Sequence, residues 1–144
     1  MRRGYILFDE CQRLLFYIFA GRKPKKYIQM KNTAITSLQV GIITFKDENV
    51  YHVYCPSLNL IGCGYTEKEA DESFNIVFDE YIKYTTENNT LIEDLKSCGW
   101  KINGSKKLSP PKISESMTLD SDFVNIVNNY DFVKRSIHAK IPIV

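Results

Sequence analysis

Between Tyr51 and Ala70 the chain reads Y-H-V-Y-C-P-S-L-N-L-I-G-C-G-Y-T-E-K-E-A, a stretch that leaves its backbone few choices. Tyr51, Val53 and Cys55 share one parity and His52 and Tyr54 the other, the alternation of a pleated strand with two distinct faces. Pro56 has no N–H to give to a ladder, so the strand ends at Cys55-Pro56. Gly62 and Gly64 mark the end of a further short strand, where a bulge forms or another backbone comes close. Thr66 is placed to cap a helix, and Glu69, three residues on, completes a capping box ahead of Ala70, the helix's first apolar residue. The order strand, bend, strand, helix follows from local backbone chemistry.

The flanks extend this frame. Ser37–Lys46 alternates and is rich in β-branched residues, Asp47-Glu48-Asn49 reads as a turn, and Val50–Cys55 returns as its antiparallel partner. Leu58–Gly64 supplies a third strand. From Glu67 to about Glu87 the apolar residues Ala70, Phe74, Val77, Phe78, Tyr81, Ile82 and Tyr84 recur mostly at three- and four-residue intervals, the pattern of an amphipathic helix. Acids crowd its first turns, where they favour the helix dipole. Thr90 with Glu93 forms a second capping-box signal, and Gly99 is placed as a left-handed C′ residue ending a short helix. Trp100-Lys101-Ile102 then reads as a strand returning to the sheet. The expected fold is α+β: a three-stranded antiparallel meander plus a returning fourth strand, packed on one long and one short helix.

Beyond Asn103 the composition shifts to a Gly/Ser/Lys/Pro linker, followed by a short helix over Ser121–Tyr130 capped by Ser121 or Asp120. The tail Ser136–Val144 places Ile137, Ala139, Ile141 and Ile143 on one parity, and Pro142 makes it an edge strand. Residues 1–29 form a basic and apolar extension around the run Leu14–Ala20. A signal peptide, a basic amphipathic arm and a helix packed on the domain are alternatives for it, and a misassigned start ahead of Met30 is the simplest account. Three regions result: the extension 1–29, a core domain 30–103, and a C-terminal segment 104–144 of linker, short helix and tail strand.

Charge and cysteine content narrow the class of function. Residues 1–30 hold seven Lys/Arg against two acids, whereas residues 31–144 hold twelve against fifteen. The core is thus mildly acidic, which suits a basic partner better than direct nucleic-acid binding. Cys11, Cys55, Cys63 and Cys98 lack metal-binding spacing, so reduced thiols in a cytoplasmic protein are expected. No apolar run is long enough to span a bilayer.

Chemistry is sparse. His52, Cys55 and Cys63 raise the question of zinc, but strand positions 52 and 55 point to opposite faces, and a partly exposed strand histidine is the expected state. The same geometry defeats a Cys–His nucleophile pair. A two-metal nuclease needs carboxylates converging from strand centres, and the first three strands carry none in their interiors. Tyr51, Tyr54, Tyr65, Tyr81 and Tyr84 could stack bases, yet only Lys46, Lys68 and Lys83 neighbour them, so rim aromatics of a protein interface are expected instead. No catalytic residue, metal or cofactor is assigned.

The run Cys55-Pro56-Ser57-Leu58, followed by Gly62, Gly64, Thr66, Glu69 and Ala70, resembles the HicB family of type II antitoxins, and the likeness spans about Leu38–Ile102. Asn59-Leu60-Ile61 and Tyr65 depart from the family pattern, which often has Pro-Gly-Cys and Asp at those places. The resemblance implies a partial ribonuclease H-like fold without catalysis. It also implies a basic, HicA-like mRNA-cleaving toxin as partner, neutralised by covering its catalytic histidine. The expected contact surface is strand 50–55, loop 56–61 and tail 136–144, with Tyr51, Tyr54, Pro56, Leu58, Tyr65 and Ile141 as contact residues. A homo-oligomer is expected. Family members often add a DNA-binding helix-turn-helix or ribbon-helix-helix, and residues 104–144 show neither pattern, which speaks against direct DNA binding. The alternative is a non-catalytic nucleic-acid-binding or homo-oligomeric interaction module of ribonuclease H-like ancestry.

Overall fold

The computed structural model describes residues 34–103 and 107–143, so the readings of residues 1–29 and of a start at Met30 lie outside the described residues. Among the described residues six strands and four helices follow in the order β1 (Ala34–Asp47), β2 (Val50–Cys55), β3 (Leu60–Gly64), α1 (Glu67–Glu87), α2 (Leu91–Ser97), β4 (Lys101–Ile102), β5 (Leu108–Ser109), α3 (Ile113–Leu119), α4 (Ser121–Asn129) and β6 (Phe132–Ile143). The α+β class is as expected.

The main sheet is antiparallel with strand order β3-β2-β1-β6. The β1–β2 hairpin closes at Asp47↔Val50 through Glu48, whose φ of 55° is left-handed. β2 meets β1 only from Ile43 to Asp47, whereas β6 pairs with β1 from Ala34 through Phe45. The half of β1 before Ile43 and its partner β6 therefore run beyond the meander as a two-stranded ribbon. This corrects the expected fourth strand: β4 pairs with β5 in a separate two-stranded sheet, and the tail strand takes the free edge of β1. Hydrophobic pattern sets register, and β6 can offer Ile137, Ala139 and Ile141 to one face over a long run where β4 offers two residues.

Each face of the sheet has its own core. On the first face Val40, Ile42, Val53, Cys55 and Leu60 pack with Ala70, Phe74 and Val77 of α1, Leu91 and Leu95 of α2, Trp100, and Ala139 and Ile141 of β6. The opposite parity supplies the second face, where Ile43, Phe45, Tyr54 and Ile61 pack against Phe123 and Ile126 of α4.

Helix α1 approaches β3 closely because two side chains are missing. A Cβ on Gly62 would fall on the backbone of Phe74, and one on Gly64 would lie 2.5 Å from Cβ of Glu69. The Gly-x-Gly signal thus marks close backbone approach, and Ala70 is fully buried beside it. Thr66 caps α1 by accepting from the Glu69 N–H at 3.1 Å. The Glu69 carboxylate reaches back one residue further than a capping box requires, accepting from the Tyr65 N–H at 2.8 Å.

At α2 the expected second capping box does not form: Thr90 has helical backbone angles (φ −106°, ψ −4°), and its side chain makes no cap hydrogen bond. A cap hydroxyl reaches the first-turn N–H groups from an extended backbone, which Thr90 does not adopt. The far end is as expected. Gly99 has φ 92°, its N–H donates to the Lys96 carbonyl and the Trp100 N–H to the Leu95 carbonyl, a Schellman closure.

The segment after Asn103 carries two helices where one was expected. Helix α3 was missed, although Pro111 before it and Glu115, whose carboxylate accepts from the Lys112 N–H at 3.0 Å, are its start signals. Asp120 is the cap of α4, accepting from the N–H groups of Asp122 and Phe123.

Candidate functional site

The proposed contact residues divide sharply. Tyr65 is exposed, and Tyr51 and Pro56 are half-buried. Tyr54, Leu58 and Ile141 are buried inside the chain itself and offer no contact surface, which corrects that part of the expected interface. The causes are specific. The Tyr54 ring packs beside Phe123, and its hydroxyl donates to the Asp120 carboxylate that caps α4. Leu58 turns into the first-face core because the Trp100 indole N–H donates to the Ser57 carbonyl at 2.6 Å and holds the loop inward. Ile141 sits on the parity of β6 that faces α1. In the loop 56–61 only Pro56 and Asn59, which has φ 52°, retain substantial exposure.

The strand chemistry is equally plain. His52 is fully buried rather than partly exposed, its ring stacked on Phe45 at 4.9 Å between centroids. Neither ring nitrogen has a hydrogen-bond partner, and burial pushes its pKa down to about 4. Such a group is a neutral core aromatic at ordinary pH. Cys55 lies on the other face, and burial pushes its thiol up to about 11, so it is no thiolate ligand or nucleophile. Cys63 is disulfide-bonded, which corrects the expectation of uniformly reduced thiols and removes that support for a cytoplasmic location; Cys55 and Cys98 are free. Among the described residues no His, Cys, Asp and Glu cluster could hold a metal ion. Among them, too, no helix is long and apolar enough to cross a membrane.

Two surface features remain after this accounting. The first is charge. Helix α1 carries Glu67, Glu69, Asp71, Glu72, Asp79, Glu80 and Glu87 against Lys68 and Lys83. Its outer face presents Glu72 and Asp79 one turn to either side of Ile76, which is 45% exposed, with Lys83 and then Glu87 further along the same stripe. Strand β6 carries Lys134, Arg135 and Lys140 and no acid. The two signs meet at the Arg135–Asp71 pair, with an N–O distance of 2.6 Å. The molecule is acidic on its helix layer and basic along its outer strand, a polarity that the overall net charge of +2 conceals.

The second feature is a cavity of about 290 Å³ on the second face. Its floor is Gly41, Ile42 and Ile43 of β1, and its roof includes Met117 of α3 with Phe123 and Val127 of α4. Phe132 and Lys134 of β6 stand at one side, and Pro56, Pro110 and Pro111 at another. The expected loop 56–61 thus contributes to this recess, through Pro56 and Ser57, rather than to a flat contact face. Sequence reading missed it because its roof comes partly from the unrecognised α3. Comparison with models of known protein families, with curated proteins and with solved structures found no match to this chain.

Proposed function

We propose that this chain is the neutralising partner of a small basic ribonuclease, acting as a HicB-like antitoxin without catalysis of its own. The observation that carries the reading is the concentration of acid on the outer face of α1. Glu72 and Asp79 flank the exposed Ile76 one turn to either side, giving an apolar centre with an anionic rim at the adjacent turns. Such a rim steers a cationic protein into encounter and sets register, while the apolar centre contributes to retention. Among the described residues the acids do not converge on a common point from strand interiors, and this supports a docking role over metal-assisted hydrolysis. The docking surface moves from the strand and loop suggested by the sequence motif to the helix layer. Tyr65, at the start of α1, is the one motif-derived contact residue that is highly exposed there.

Co-expression tests the reading. The chain should relieve growth arrest caused by the product of an adjacent short reading frame encoding a basic protein with a central histidine. The pair of substitutions Glu72→Lys and Asp79→Lys should weaken relief while leaving the melting temperature within a degree or two, since both residues are exposed. Full relief by that variant would contradict an interface on α1. A second reading is favoured by one observation. The outer strand places Lys134, His138 and Lys140 on an exposed face beside Ser37 and Gln39, as a nucleic-acid-binding ribbon would. Tight, salt-sensitive binding of single-stranded RNA, lost in Lys134→Ala/Lys140→Ala, would select it.

A further inference from the structure

We infer that the second-face cavity is a binding site for a small amphipathic carboxylate, a medium-chain fatty acid in its simplest form. This is separate from the antitoxin reading, which uses the opposite layer of the molecule. Three observations carry it. The cavity, of about 290 Å³, lies just below the ~300–1,000 Å³ typical of small-molecule sites, and its walls are mostly aliphatic and aromatic, with Ser57 and Ser116 among them. Those walls are well positioned: Phe123 is 3% exposed, Ile42 and Ile43 are buried in the sheet, and the Tyr54–Asp120 hydrogen bond anchors the start of α4.

The second observation is Gly41. It lies in the interior of β1, where glycine weakens a strand, and a Cβ built on it meets nothing within 4 Å. Its missing side chain serves no internal contact, unlike those of Gly62 and Gly64, which admit α1. What the glycine does is keep the cavity floor open. The third is Lys134. It stands directly across the ladder from Ile43, lines the cavity, and has no ion-pair partner among the described residues. An apolar recess bordered by one unpaired ammonium matches a ligand with a hydrocarbon tail and a single anionic head. The tail would lie over Gly41 toward Val127 and Met117, and the carboxylate would accept from Lys134 as a charge-assisted hydrogen bond.

Titration calorimetry of the full chain with sodium decanoate, kept below its micelle concentration, tests the site. One saturable site per chain is expected, and no saturable binding would overturn the inference. Lys134→Met should weaken decanoate severalfold yet leave decanol binding unchanged; equal affinity of wild type and variant for decanoate would refute the role of the ammonium. Gly41→Leu should fill the floor and abolish binding of both probes, with the melting temperature held or raised. If Gly41→Leu does not fold, Val127→Phe fills the same space from the roof. Undiminished decanoate binding by a folded filled variant would place the ligand elsewhere and overturn the site.

Discussion

Gly41 and Gly62 belong to the same sheet and have opposite surroundings, and this makes them the sharpest residue-level test of the packing. A methyl group on Gly62 would collide with the backbone of Phe74, which cannot give way without moving α1. Gly62→Ala should therefore destabilise the fold by ~1–3 kcal/mol, the range of overpacked cores. Gly41→Ala meets open space and removes freedom from the unfolded chain, so it should stabilise by ~0.4–1 kcal/mol. Denaturant midpoints of the two variants decide the matter, and a shift of the same sign in both would contradict the account.

His52 gives the second residue-level prediction. Its pKa is about 4 when folded against 6.5 when free. Above 6.5 it is neutral in both states. As pH falls from 6.5 toward 4 the unfolded chain binds a proton that the folded chain refuses, so stability drops across that window, by up to ~3 kcal/mol. His52→Phe, which preserves the stack on Phe45, should lose less stability than wild type between pH 7 and pH 4 in urea unfolding. Identical losses would show that His52 takes up its proton without unfolding.

At the scale of elements, the order of strands and helices from Tyr51 to Gly99 was legible because most signals there act locally, the Thr90 capping box being the exception. Thr66 caps, Gly99 closes a helix, and alternation fixes β2 whatever lies elsewhere. Thr66→Ala should accordingly cost ~1 kcal/mol, measurable as a lower melting temperature. What could not be read was the competition for the free edge of β1. Trp100–Ile102 and the tail both had strand character, and only the packing of Ala139 and Ile141 against α1 and α2 shows which wins. The same non-local effect hid three buried contact candidates, since Tyr54, Leu58 and Ile141 look like surface residues until α4, Trp100 and α1 cover them.

The edge pairing leads to the element-scale prediction. Deleting everything after Tyr130 removes Ala139 and Ile141 from the core and leaves β1 unpaired from Ala34 to Ile42. Such a long bare edge invites aggregation. The truncated chain should elute as aggregate or lack a cooperative melt, and a folded, monomeric truncation would show that β6 is an accessory strand.

On the scale of the whole molecule the organising fact is electrical asymmetry, with an acidic helix layer back to back with a basic outer strand. A neutral-looking total conceals it, and the charge division at residue 30 does not reveal it, because α1 and β6 both lie within the stretch whose net charge is acidic. A docking surface of this kind acts mainly on encounter rates and is screened over ~8–10 Å near physiological salt. Complex formation through α1 should therefore slow as salt rises. The most direct measurement mixes the purified full chain with the purified basic ribonuclease and follows RNA cleavage. The account predicts loss of cleavage near equimolar chain, inhibition weakened by Glu72→Lys/Asp79→Lys, and no cleavage by the chain alone. Undiminished cleavage at a several-fold molar excess of folded chain, or metal-dependent cleavage by the chain itself, would contradict it.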